Sequence, residues 1–284
     1  MTKQEFQKLT ENLLFLDGAT GSNLMAQGMP RGICTERWVI EHRDVIQKLQ
    51  KAYIEAGSRI IYAPTFGGNR LNLKQHGLEN KIQEINSTLV SYSREIAGNK
   101  AFVAGDITTS GQFVTADGEY TYEDAFEMYK EQITILKNAG VDLIAAETMI
   151  NIEETLAAVD AANSVCDLPV MCTVTVEADG SIFSGGNAVE AAVAFESAGA
   201  AAVGINCSVG PDQLVSVIRN IREAVSIPVI AKPNAGMPVI DDQGNAGIQH
   251  EPGGLCKTYA GSCEKRTQGS SEAAAEPLRI SYGK

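Results

Sequence analysis

A strict alternation constrains this chain more than any other feature: short apolar runs that end in polar residues, each followed by a segment of helical spacing. Runs at 13–17, 59–63, 101–105, 143–147, 170–175, 201–206 and 228–232 read as buried strands, being short, apolar and closed by turn residues. Segments 43–56, 81–97, 122–139, 153–165, 189–197 and 211–224 read as amphipathic helices. Glycine directly follows Ala56, Ala139 and Ala198, where a helix needs a left-handed residue before the next strand. Repeated β-α units imply a parallel sheet, and seven strands within 284 residues favour an α/β fold of the (β/α)8 TIM-barrel type over an open doubly wound sheet. No Gly-x-Gly-x-x-Gly follows any strand, which disfavours a dinucleotide fold.

Charge narrows the partners. A net charge of −12 and a pI near 4.8 oppose binding to nucleic acid or an anionic membrane. Residues 1–10 are polar, and Leu13-Leu14-Phe15-Leu16 is too short for a signal peptide or a bilayer span, so a cytoplasmic location is expected. Six cysteines at 34, 166, 172, 207, 256 and 263 show no tight pairing, and metal binding or catalysis is favoured over a disulfide framework. Cys172 and Cys166 read as core or incidental, and Cys34 lies in a loop with no evident partner.

In such a barrel the chemistry sits where the strands end. The stretch Gly204-Ile205-Asn206-Cys207-Ser208 reads as a strand delivering a thiol, although a free cysteine is as often a small buried hydrophobe. In Asp17-Gly18-Ala19-Thr20-Gly21-Ser22 the small residues expose backbone N–H groups suited to a carboxylate. Glu147 would then meet the ammonium group of an amino-acid ligand, and Glu147→Gln should weaken that binding while leaving the fold intact. An ion pair with a base from a neighbouring strand is the less favoured use of Glu147, since few basic residues end the strands. Asp106 and Thr148 taken singly read as helix caps or satisfied loop residues, and Asn234 as a residue that orders its own loop, a metal contact through its amide oxygen being the less favoured reading. Lys232, which also ends a strand, would suit an aldolase-like Schiff base, a weaker reading.

Taken together, Leu16-Asp17-Gly18-Ala19-Thr20-Gly21-Ser22, Thr65-Phe66-Gly67-Gly68-Asn69-Arg70, Glu147-Thr148-Met149, Gly204-Ile205-Asn206-Cys207-Ser208 and Lys232-Pro233-Asn234-Ala235-Gly236 resemble the homocysteine-binding barrel of the homocysteine S-methyltransferases, and within that family the N-terminal module of the cobalamin-dependent methionine synthases. The likeness covers about residues 10–248 in order. It implies methyl transfer to the thiol of homocysteine to give methionine, with Asp17, Gly18, Ala19, Gly21, Thr65, Phe66, Glu147, Asn206 and Asn234 around the substrate. It also implies a zinc ion on three cysteines, one matching Cys207 and an adjacent pair in a Gly-Gly-Cys-Cys-Gly motif on strand eight. Zinc would hold the substrate as a thiolate. Methylcobalamin is the expected methyl donor, brought by a corrinoid protein or by folate and cobalamin modules on separate chains, for which 284 residues leave no room.

Residues 249–284 depart from that likeness. They carry no Gly-Gly-Cys-Cys and almost no apolar periodicity, so no strand eight is expected there. Ser271 to Arg279 can be encoded TCG GAG GCT GCT GCG GAA CCA CTC CGG; read from the third base this gives Gly-Gly-Cys-Cys-Gly-Thr-Thr-Pro. The expectation is therefore a barrel over 1–248 followed by an anomalous, out-of-frame tail over 249–284. Cys256, Cys263 and His250 are too loosely spaced to replace the missing zinc ligands. Two functions then compete: a zinc-dependent methyltransferase, and an inactive amino-acid-binding remnant of the family.

Overall fold

The computed structural model describes residues 1–115, 118–234, 238–240 and 246–248, the last two stretches by backbone alone. Six parallel strands pair in sequence order: β1 Ile60–Ala63, β2 Phe102–Ile107, β3 Leu143–Met149, β4 Val170–Val174, β5 Ala202–Asn206 and β6 Val229–Lys232. They curl as part of a (β/α)8 barrel that the described residues do not close. Before them lie helices α1 Lys3–Leu9, α2 Gly21–Ala26, α3 Thr35–Glu41 and α4 Arg43–Glu55. Helices α5 Arg70–Lys74, α6 Ile82–Ala97, α7 Tyr122–Ala139, α8 Ile152–Val165, α9 Ala188–Ser197 and α10 Pro211–Ala224 run between the strands. Strands β7 Pro238–Ile240 and β8 Ala246–Ile248 form a separate antiparallel pair.

The expected strand at 13–17 is reduced to a single parallel bridge between Leu16 and Ile60. Arg59 N–H donates to the Phe15 carbonyl at 2.8 Å and Asp17 N–H to that of Ile60 at 3.0 Å. Leu13 and Phe15 face water while Leu16 is buried, so the alternation is that of a strand, but it has a neighbour on one side only among the described residues. The other six strands lie within two residues of their expected ends. No eighth parallel strand exists among the described residues.

Strand parity decides what fills the barrel. Ile60, Tyr62, Ala104, Leu143, Ala145, Met171, Ala202 and Ile230 share one inner cluster with Leu16 and with Phe6 of α1. The opposite parity, with Ile61, Val103, Ile144, Cys172 and Val203, packs outward against the helices in a second, larger cluster. Carried to the strand ends, the inner parity reaches Asp106, Glu147, Thr173, Asn206 and Lys232. One period-two pattern thus stacks an apolar layer below a polar one.

Candidate functional site at the carboxyl ends of the strands

Lys232 organises the polar layer. Its Nζ donates to Glu147 Oε1 at 2.5 Å, lies 3.8 Å from Asp17 Oδ1 and stands 4.0 Å from the centre of the Tyr62 ring. Asp17 Oδ2 accepts from Tyr62 N–H at 2.7 Å. Burial alone would lower the Lys232 pKa, but Glu147, Tyr62 and Asp17 override it and hold the amine well above its usual value. A Schiff-base lysine needs a neutral amine, which an ion pair with Glu147 and Asp17 disfavours. Glu147, expected to keep its charge for a ligand, is engaged in the ion pair that the sequence disfavoured. Counting bases among the strand ends missed this, because a single lysine in the barrel centre serves two acids.

β3 carries an irregularity between Ala146 and Met149, and Thr148 there has a φ of 57°. Such a bulge re-aims side chains. Thr148 is a satisfied residue rather than a helix cap: its Oγ1 accepts from Asn206 Nδ2 at 3.0 Å, which joins the ends of β3 and β5. Cys207 follows with a φ of 49° and is exposed at the mouth. The residue is exposed as a whole but its sulfur is partly desolvated, which together with the charge of Glu147 raises the thiol pKa, against the Thr148 hydroxyl and Lys232. Its backbone is held by Lys232, whose carbonyl accepts its N–H at 3.2 Å, and by Thr175 Oγ1, which donates to its carbonyl at 2.9 Å.

The remaining expected residues divide between open and occupied groups. The N–H groups of Gly18, Ala19 and Thr20 donate to nothing among the described residues, while the Ala19 carbonyl accepts from Tyr53 OH at 2.8 Å and Asn23 Nδ2 at 2.6 Å. The loop is therefore anchored by its carbonyl with its donors free. A Cβ on Gly21 would meet nothing within 4 Å. Phe66 is half exposed at the mouth, but the Thr65 hydroxyl is buried and donates to the Asp106 carbonyl at 2.8 Å, a link between β1 and β2. Asn234 Nδ2 donates to the Ser208 carbonyl at 2.5 Å, so it does order a loop, that of its neighbour strand.

Other contributors were not visible in the sequence. Glu36 of α3 is buried and accepts from Gly67 N–H at 2.7 Å, which fixes the loop bearing Phe66. The same side chain supplies the partner that Cys34 was expected to lack, since Cys34 Sγ donates to Glu36 Oε2 at 3.4 Å. Cys172 is fully buried core, its thiol pushed up to about 12 by burial. Asp106 is more than a cap; its Oδ1 is buried and unpartnered among the described residues.

Among the described residues no three His, Cys, Asp or Glu side chains converge as a metal site, and Cys207 is the single thiol at the strand ends. His250, Cys256 and Cys263 lie outside the described residues. No helix among the described residues is long and apolar enough to cross a membrane.

Comparison with known proteins gives a consistent answer. The homocysteine S-methyltransferase family model matches residues 14–269. The methionine synthase of Mycobacterium leprae is 27% identical over 272 residues, which is 90% of this chain and 22% of that protein. The S-methylmethionine-homocysteine S-methyltransferase of Pongo abelii is 28% identical over 195 residues, 68% of this chain and 51% of that one. The chain thus spans about a fifth of the length of the methionine synthase it matches. In fold, it superposes on the oxidized form of the homocysteine methyltransferase MmuM of Escherichia coli with a TM-score of 0.77 at 17% identity, covering 100% of this chain and 94% of that one. A metallated form of the same enzyme gives 0.73.

Proposed function

The chain belongs to the homocysteine S-methyltransferase family, and from that premise we propose that its barrel mouth binds homocysteine and presents the thiol for methylation to methionine. The observation that carries this reading is the pairing of free N–H donors at Gly18, Ala19 and Thr20 with a buried acidic layer across the same mouth. The first suits the carboxylate of an amino acid and the second its ammonium group. Asp17, Gly18, Ala19, Gly21, Thr65, Phe66, Glu147, Asn206 and Asn234 form or brace that pocket, and Cys207 stands at its rim. In the reaction the thiol gives up its proton, a sulfur–carbon bond forms, and the bond from the methyl group to its donor breaks. Methylcobalamin is the proposed donor, carried by a corrinoid protein or by cobalamin and folate modules on separate chains, in the cytoplasm.

The family's zinc centre is a separate matter. Cys207 would contribute one ligand, and the described residues do not supply the rest of the set that zinc prefers. The sequence holds no adjacent cysteine pair, and this supports a second reading: an amino-acid-binding remnant over residues 1–248 that does not activate the thiol, followed by an out-of-frame tail over 249–284. Zinc analysis of the purified protein, with an assay of methionine formation from homocysteine and methylcobalamin, separates the two. Stoichiometric zinc with turnover supports the enzyme. Homocysteine binding without either supports the remnant, and absence of binding ends both.

A further inference from the structure

The bulge near the end of β3 is held by residues that lie outside the pocket. The ladder of β3 with β2 ends at the pair Ala146 and Ile107, and that with β4 steps from Ala146 and Cys172 to Met149 and Val174, so Glu147 and Thr148 fill a place where β4 has one residue. Thr148 takes a φ of 57°, which a β-branched residue keeps only where its surroundings over-determine it. Two side chains grip the pair. Asn206 Nδ2 donates to Thr148 Oγ1 at 3.0 Å from the β5 side, and Thr108 Oγ1 donates to the Glu147 carbonyl at 2.8 Å from the β2 side.

Behind Thr108 stands Glu154, in the first turn of α8 and 0% exposed. Among the described residues its donors are all neutral: Thr109 Oγ1 reaches Oε2 at 2.7 Å, while Ser110 N–H at 2.7 Å, Ser110 Oγ at 2.5 Å and Tyr129 OH at 3.0 Å reach Oε1. The same Tyr129 hydroxyl lies 3.1 Å from the Thr108 carbonyl. An apolar side chain would fill this space at less cost, which points to geometry as what the carboxylate supplies. Glu154 holds the two residues that follow Thr108, and β2 holds the residue before it, so the hydroxyl that grips Glu147 hangs on a segment pinned at both ends. We propose that Glu154 is a positioning residue of the site: fully buried beneath the mouth, it acts through Thr108 to set the bulge that presents Glu147 and Thr148. This rests on the homocysteine-binding reading above.

The test titrates homocysteine against the full chain and its variants by ligand-observed NMR, with a thermal melt of each so that only folded protein is compared. T108V, which keeps the shape and removes the hydroxyl, is expected to bind about three- to tenfold more weakly, the range of one hydrogen bond. T108S returns the hydroxyl and should restore wild-type affinity. E154Q turns one acceptor into a donor that faces hydroxyl and N–H groups; it should weaken binding to a similar degree, with no further loss in E154Q/T108V, because both act on one contact. Y129F, which removes the hydroxyl shared by Glu154 and the Thr108 carbonyl, takes the place of E154Q if that variant does not fold. A lower melting temperature with unaltered affinity of the folded chain would make Glu154 merely structural and overturns the inference. Equal affinities of T108V and T108S, or additive losses in the double variant, overturn it as well and leave the homocysteine reading in place. A wild-type chain that binds no homocysteine ends that reading and this inference together.

Discussion

Glu147 Oε1 lies 2.5 Å from Lys232 Nζ, so the same carboxylate carries a buried ammonium as well as any ligand that meets its other oxygen. The sequence supports a neutral substitution there that weakens ligand binding alone; the geometry predicts otherwise. E147Q should lower stability by about 1–3 kcal/mol, because Lys232 loses its 2.5 Å partner and keeps only Asp17 at 3.8 Å. The double variant E147Q/K232M should recover most of that loss, as read from urea unfolding midpoints. A single variant that unfolds at the wild-type midpoint would show that the pair contributes nothing. Asp17 gives a second residue-scale prediction. Burial raises its pKa from 3.8 to about 7, against Lys232 and the Tyr62 N–H, with Glu147 adding to the rise. The folded state then holds a proton that the unfolded chain releases near pH 4, so this contribution is present below that pH and is lost as pH climbs towards 7. Stability should fall over that window at up to about 1.4 kcal/mol per pH unit. D17N should flatten the slope in melts recorded from pH 4.5 to 7.5, and an unchanged slope would show that another group governs it.

Strands and long helices could be read from the sequence because each repeats its period several times; shorter elements could not. α2, α3 and α5 have six, seven and five residues, too few turns for a 3.6-residue pattern to emerge. α1 was hidden by its polar composition, although Thr2 and Glu5 form a capping box and Phe6 plugs the barrel floor. The strand ends were placed correctly by position, and parity alone explains why polar groups gather there. What the sequence could not supply was pairing across the barrel: Lys232 and Glu147 stand 85 residues apart, and nothing local links them. Glu154 is a similar case. It begins α8, and its carboxylate, fully buried, accepts from Thr109, Ser110 and Tyr129 to hold the loop after β2. At this scale Gly204 is the critical glycine. It pairs with Ile230 in the register of β5 and β6, and a Cβ there would lie 1.9 Å from the Ile230 carbonyl oxygen. Backbone cannot yield as a side chain can, so G204A should destabilise the chain by about 3 kcal/mol, the upper end for overpacking. Ligand-free urea unfolding measures this, and a midpoint near that of wild type would mean the strands part without cost.

The whole molecule is governed by the two ends of its curled sheet, the Leu16 segment and β6. An apolar cavity of about 30 Å3 lies between them, lined by Leu14 and Leu16 on one side and Val229 and Ile230 on the other, with Phe6 beneath. In a closed barrel an eighth strand would pair with both edges and cover this cavity. An edge left unpaired exposes backbone donors and acceptors to other chains. The proposed frame slip therefore ties three properties to one segment: closure, solubility and the two thiolates that Cys207 lacks. We expect the chain to self-associate, to retain far less than one zinc per molecule and to show no appreciable methyl transfer to homocysteine. Replacing the tail with the alternative frame, which encodes Gly-Gly-Cys-Cys-Gly-Thr-Thr-Pro, should restore all three together, because a zinc-binding set that forms only on folding couples metal affinity to closure. Light scattering, zinc analysis and methionine formation on the two proteins measure this. Recovery of solubility without zinc would separate closure from the metal site and break the link, and a monodisperse, zinc-loaded, active protein carrying the present tail would show that the departure over 249–284 is harmless.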